Sequence, residues 1–175
     1  RFLSTTALGA AALAAPAVLR AQGQPIKVGI LQPTSGAMSY SGQQGRIGAQ
    51  LALDEINAAG IKSLGGAKIE PVFGDAQSTP EGGNAEVEKM NGAGCAAVVG
   101  GYVSSICLAA SQTAARYDLP YIVDVGVADS IVTRGLKNTF RFGPGFGVVA
   151  KTALDNLVAL NDAAGKIAKT VMIIH

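Results

Sequence analysis

The chain has 175 residues, 49% of them hydrophobic and 15% charged, with 23 glycines, no tryptophan and a formal charge of +2. That composition excludes a disordered chain, which is poor in apolar residues and rich in charge. A charge of +2, with no cluster of three basic residues, also excludes the basic footprint of a nucleic-acid binder.

Residues 1–23 begin Arg1-Phe2-Leu3 and carry a mostly Ala/Leu/Val run at 7–19. The run suits the hydrophobic region of an export signal and is shorter than the roughly 20 residues a membrane-spanning helix needs. It has no polar face, which separates it from an amphipathic helix. Residues 1–23 are therefore expected to be an export signal. Arg1-Phe2-Leu3 is similar to the end of a twin-arginine signal, and the Sec and Tat routes both stay open. Setting Arg1 and Arg20 aside removes two of the 14 basic residues, and the remainder balance the 12 acids.

Strand and helix patterns alternate from there on. The apolar run at 26–32 predicts a first strand. Residues 42–59, with Ile47, Leu51, Leu53 and Ile56 at mixed helical spacings, predict a helix that stops at Gly60. A second strand at 68–74, a second helix from Pro80 to about residue 91 and a third strand at 96–100 follow. A third helix at 104–117, a fourth strand at 120–125, a short extended piece at 139–142 and a helix at 146–163 come next. The apolar run at 169–175 reads as the start of an unfinished sheet in a longer protein, or as a terminal strand closing the first sheet. This alternation implies parallel strands joined by right-handed crossovers. The fold class expected is α/β, a doubly wound parallel sheet with flanking helices.

In such sheets ligands sit outside the carboxyl ends of the strands. Three loops qualify here: 33–42, rich in hydroxyls and containing Tyr40; 100–105, Gly-Gly-Tyr-Val-Ser-Ser; and 125–130. The second leads into a helix N-terminus, whose unpaired N–H groups and partial positive charge suit a carboxylate or phosphate. Ser104 and Ser105 would add donors, although Ser104 could equally serve only as a helix cap. Tyr40 and Tyr102 would supply apolar walls with polar tips, or else stand as half-buried core tyrosines.

Catalytic constellations are missing from the sequence. The only histidine, His175, is the last residue, so neither a Ser-His-Asp nor a Cys-His arrangement can be assembled. Cys95 and Cys107 with one histidine lack metal-ligand spacing. There is no Gly-Lys-Ser/Thr phosphate loop, and the glycines at 42, 45 and 48 lack the opening of a dinucleotide site. No catalytic residue, metal or cofactor is expected. A nicotinamide-dependent enzyme is a weak alternative.

Four segments in order, IKVGILQPTSG at 26–36, GAQLALDEINAAG at 48–60, VVGGYVSS at 98–105 and RGLKNTFR at 134–141, resemble the amino-terminal lobe of type I periplasmic substrate-binding proteins of the Leu/Ile/Val-binding, LivJ/LivK-like family. The similarity runs from about residue 25 to 175. It implies two Rossmann-like α/β lobes joined by a hinge, a small solute bound between them, and delivery to an inner-membrane ABC permease. By that resemblance residues 24–169 form the amino-terminal lobe and 170–175 the first strand of a second lobe that is otherwise missing.

Carried over residue by residue, the resemblance matches Ser104 and Ser105 to the family's Ser-Ser, which holds the ligand carboxylate. It places Tyr40 where an aromatic often meets the ligand. Val125 and Val127 match the positions of a small residue offering its carbonyl and of a threonine, so the threonine is replaced by an apolar residue. The family's amino-acid-binding members have an acid in the loop after the Phe-Arg pair, and residues 143–147 contain none. A carboxylate solute with an apolar or aromatic body is implied, though acids from the other lobe could restore amine recognition. The usual disulfide positions are Gln77 and Val103, so Cys95 and Cys107 are expected as free, mostly buried thiols. A disulfide between them stays open in an oxidising compartment.

The expectation is a non-catalytic, periplasmic, monomeric solute-binding protein of an ABC importer. Its partners would be a small-molecule solute and the permease, with no nucleic acid. The alternative is the extracellular sensing lobe of a receptor or amide-type regulator.

Overall fold

Ile26–Gln32 form strand β1, whose burial deepens from half-buried at Ile26 to fully buried from Gly29 onward. A strand inside a sheet has its backbone hydrogen bonds met along both edges. β1 pairs in parallel with β2 (Ile69–Asp75) on one side and β3 (Ala97–Gly100) on the other. β4 (Tyr121–Val123) and β5 (Thr139–Arg141) extend the sheet to the order β2-β1-β3-β4-β5, all parallel. The computed structural model describes residues 23–172. Most of the expected export signal, at 1–22, and residues 173–175 of the expected last strand lie outside the described residues, and 167–172 carry no regular structure.

The strands are joined by α1 (Ser39–Ala59), α2 (Pro80–Gly92), α3 (Ser104–Arg116) and a single turn, α4 (Ser130–Thr133), with α5 (Phe146–Ala163) following β5. A side chain at Gly29 would strike Met90 of α2, whereas the Gln32 amide lies against Gly45 of α1. Successive strand residues point to opposite faces, so α1 and α2 cover different sides of the sheet. Doubly wound α/β architecture is thus the fold, and the strand order reverses between β1 and β3.

The core lies on the α2/α3 side. Leu31, Val98, Tyr121 and Val123 from the sheet meet Val87, Met90, Ile106, Cys107 and Ala110 from the helices, with Ile131 of α4 closing one end. Cys95 and Cys107 are both buried and free, as expected for unpaired thiols. Gly60 ends α1 as expected, donating to the Ile56 carbonyl at 2.7 Å. Thr79 caps α2 by accepting from Gly82 N–H at 3.0 Å ahead of Pro80.

Two boundaries differ from the sequence reading by two or more residues, and one element is new. α1 begins at Ser39 rather than residue 42, because Gly42 is a helix residue and not the end of a loop. A Cβ there would lie 2.0 Å from the Pro33 carbonyl, so glycine lets the first helical turn pack on the strand exit. β4 ends at Val123 rather than residue 125. There Asp124 Oδ1 accepts from Val125 N–H at 2.8 Å and Gly126 N–H turns to the Gly101 carbonyl at 2.9 Å, drawing the chain out of the ladder. α4 was not anticipated, since four residues are too few to register a helical period.

Candidate functional site

The carboxyl ends of β1, β3 and β4 stand side by side, and the loops leaving them are cross-tied. The loop after β1 is braced from β2. Asp75 Oδ1 accepts from Thr34 N–H at 2.8 Å, Ser35 N–H at 3.1 Å and Gln77 N–H at 2.8 Å. Partial burial works to raise the Asp75 pKa, but the Ser35 side chain and these amides outweigh it and hold the carboxyl below its ordinary value. Ser78 adds a second tie, donating to the Ser35 carbonyl at 2.7 Å and accepting from Met38 N–H at 3.0 Å.

The loop after β3 is held from beneath by Gly101, whose φ of +111° favours glycine. A Cβ there would meet Cys107 Sγ at 2.5 Å and the Tyr121 hydroxyl at 2.9 Å. Cys107 donates to the Gly101 carbonyl at 3.1 Å. Burial first, and then the neighbouring Asp124 carboxylate, push the Cys107 thiol up to about 12. The loop after β4 is pinned from β5: the Arg141 guanidinium donates to the carbonyls of Val127 at 3.2 Å and Ala128 at 2.9 Å and pairs with Asp129 at 3.2 Å. Asp129 in turn accepts from Gly147 N–H at 2.9 Å, fixing the start of α5.

Five of the six residues singled out from the sequence sit on the two middle loops. Ser104 is the first residue of α3 and does not cap it; Val103 holds the cap position with no side-chain bond. Instead Ser104 Oγ accepts from Ala128 N–H at 3.2 Å, joining the two loops. Ser105 is exposed beside it, Tyr102 is 37% exposed, and Val125 and Val127 are exposed on the facing loop. Tyr40 is placed differently from the loop wall expected. It lies in the first turn of α1 and is 77% exposed. A hollow of about 300 Å³ lined by Gly23, Gln24, Pro25, Gly66 and Lys68 lies at the opposite, amino-terminal edge of the sheet.

Sequence reasoning missed a polar pair at the carboxyl edge. Gln32 Nε2 donates to Asp124 Oδ2 at 2.6 Å, across 92 positions of sequence. β1 pairs Leu31 with Gly100, and β3 pairs Val99 with Ile122. Gln32 ends β1 and Asp124 follows β4, so their side chains meet across the end of β3, on the α1 side of the sheet. Gln32 is 2% exposed and its Oε1 has no partner among protein atoms. Burial raises the Asp124 pKa against the pull of Gln32 and the Val125 amide. The signal in the sequence was a polar residue at the end of one strand, Gln32, and another directly after a second, Asp124.

Among the described residues no group of three His, Cys, Asp or Glu side chains is placed to hold a metal ion. No described helix is long and apolar enough to cross a membrane. What the edge offers chemically is a helix N-terminus with two hydroxyls, apolar and aromatic surface around it, and the carboxylates of Asp75, Asp124 and Asp129.

The periplasmic binding protein family model matches residues 25–174. Leu/Ile/Val-binding protein homolog 8 of Brucella abortus is 34% identical over 133 residues, 76% of this chain and 32% of that protein. The crystal structure of the branched-chain amino acid transporter substrate-binding protein LivJ from Streptococcus pneumoniae, in complex with isoleucine, aligns with a TM-score of 0.64 at 31% identity. It covers 69% of this chain and 34% of its own. A solute-binding protein of an ABC transporter from Rhodopseudomonas palustris, solved with 3,4-dihydroxybenzoic acid, has the same fold with a TM-score of 0.62 at 20% identity, over 69% of this chain and 32% of its own. The chain thus spans about a third of the length of the relatives it matches.

Proposed function

The chain belongs to the periplasmic binding protein family, and from that premise we propose that it is the amino-terminal lobe of the solute-binding component of a branched-chain-amino-acid-type ABC importer. In this reading residues 1–23 direct export, residues 24–169 form the lobe, and residues 170–175 lead into a second lobe. A small carboxylate-bearing solute, an amino acid or an aromatic or aliphatic acid, binds in the cleft between lobes. The closed, monomeric protein carries it through the periplasm to the permease, and no bond in the solute is made or broken.

One observation carries the reading: the α3 N-terminus opens at the carboxyl edge, with Ser105 exposed and Ser104 bridging to the facing loop. Unpaired backbone N–H groups and the helix dipole favour an anion there, and the hydroxyls add donors without a competing charge. Tyr102, Val125 and Val127, with Tyr40 at the entrance, would take up the apolar body of the solute.

The test is thermal unfolding of the full-length protein with carboxylates and their neutral primary amides. A carboxylate at about 100 times its dissociation constant adds roughly 2.7 kcal/mol to stability. An amide that shifts the transition equally would remove the anion site.

A further inference from the structure

We propose that Arg141 is a positioning residue for solute binding: with Asp129 it clamps the loop after β4 to the first turn of α5, and so holds the backbone at 125–128 in the shape the solute meets. This rests on the solute site proposed above.

Arg141 ends β5 with its side chain only 10% exposed. A guanidinium has five N–H donors in a planar fork. Four of them are placed here: Nε on the Gly143 carbonyl at 3.2 Å, Nη1 on the carbonyls of Val127 at 3.2 Å and Ala128 at 2.9 Å, and Nη2 on Asp129 Oδ1 at 3.2 Å. One side chain thus ties together the segments that leave two neighbouring strands. A lysine ammonium, a point charge on a flexible stem, cannot reproduce that fork.

The same groups attach α5. Asp129 Oδ2 accepts from Gly147 N–H at 2.9 Å, and the Val127 carbonyl accepts from Phe146 N–H at 2.7 Å. A Cβ at Gly145 would run into both the Asp129 carboxylate and the Arg141 guanidinium, so glycine lets the start of α5 close on the pair. Beyond that turn the helix has little to hold it: of α1–α5, it alone has no buried residue. Its direction from the sheet is therefore set through the clamp.

The clamp lies directly behind surface assigned to the solute. Val125 and Val127 are exposed, and the Val127 carbonyl has its two lone pairs taken, one from β5 and one from α5. On the other side the loop is joined to the β3 exit, through Gly126 N–H on the Gly101 carbonyl at 2.9 Å and Ala128 N–H on Ser104 Oγ at 3.2 Å. Without Arg141 the Asp129 charge and the Ala128 carbonyl lose this donor, and the loop is left fixed from the Ser104 side and by the Phe146 amide. A binding surface works when it is held to within about 0.5 Å, which is what the lost bonds supply.

The experiment pairs titration calorimetry with amide hydrogen exchange on the full-length protein, as wild type, Arg141→Lys, Asp129→Ala and a control, Arg134→Lys. Arg134 donates to the Leu108 carbonyl at 2.8 Å and to Ser111, and none of its hydrogen bonds reaches the loop or α5. Isoleucine, 3-phenylpropionate and 3,4-dihydroxybenzoate are the probes, and the one that binds the wild type most tightly is carried through. Arg141→Lys is expected to weaken that probe about tenfold or more and to speed exchange at 145–149 about tenfold or more. Asp129→Ala, which leaves the bonds to the Val127 and Ala128 carbonyls, should speed exchange there equally while weakening the probe less. Arg134→Lys should lower the melting transition yet stay within about twofold of the wild type in both readouts. Probe affinity in Arg141→Lys within about twofold of the wild type, unchanged exchange at 145–149 in the two clamp variants, or an Arg134→Lys that matches them overturns the clamp and leaves the solute site standing. If Arg141→Lys fails to fold, Asp129→Ala decides by whether exchange at 145–149 speeds up. A wild type that binds none of the probes overturns both readings.

Discussion

Ser104 and Ala128, on loops from adjacent strands, are joined by a hydrogen bond in which the Ala128 N–H donates to Ser104 Oγ at 3.2 Å. One hydroxyl thus sits at the helix N-terminus and also sets the position of the facing loop. Ser104→Ala is expected to cost about 1 kcal/mol of stability from the lost tie. Ser105→Ala, at an exposed position without that bond, should leave stability within about 0.5 kcal/mol and affect only solute affinity. Urea unfolding of the two variants separates these outcomes.

Gly101 supports the same loop from below. Gly101→Ala places a methyl against Cys107 Sγ and the Tyr121 hydroxyl at a φ of +111°. Combining backbone strain with overpacking, it should destabilise by roughly 2–4 kcal/mol. Gly48→Ala meets no neighbour within 4 Å, lies inside α1, and should be neutral or slightly stabilising in the same assay.

Two acids give opposite pH signatures. Asp75 has a folded pKa below its ordinary value, so its contribution is present above the unfolded pKa and is lost as pH falls through the folded one. Asp124 has a raised folded pKa, so its contribution is present below the unfolded value and is lost as pH rises through the folded one. Melting curves between about pH 3 and 7 should therefore show a shallower acid limb in Asp75→Asn and a steeper one in Asp124→Asn than in the wild type.

Much of this was legible in the chain, for physical reasons. β1 was read to the residue because its mostly apolar run is bounded on either side by a proline, Pro25 and Pro33. The start of α1 was misread because Gly42 and the hydroxyls around it look like a loop, while the close approach to Pro33 that demands glycine is a tertiary fact. Ser104 and Ser105 were found from the order strand, glycines, hydroxyls, helix, which is local. The Gln32–Asp124 pair and the Arg141 anchor on the Val127 and Ala128 carbonyls join segments far apart in sequence, and only the register of the sheet reveals them.

Both thiols should be inert in the native state. Cys107, pushed up to about 12 chiefly by burial, and Cys95, raised by burial as well, are shielded from solvent. A colourimetric thiol reagent is expected to count no reactive cysteine before unfolding and both after it. Two unreactive cysteines in denaturant would mean that they are disulfide-linked.

The measurement that bears most directly on the proposed function is the affinity of the full-length protein for its best carboxylate solute before and after Ser104→Ala with Ser105→Ala. Two hydroxyl donors to a charged group predict a loss of about 100-fold or more, with the melting transition retained. An affinity within about threefold of the wild type would contradict the anion site at the α3 N-terminus.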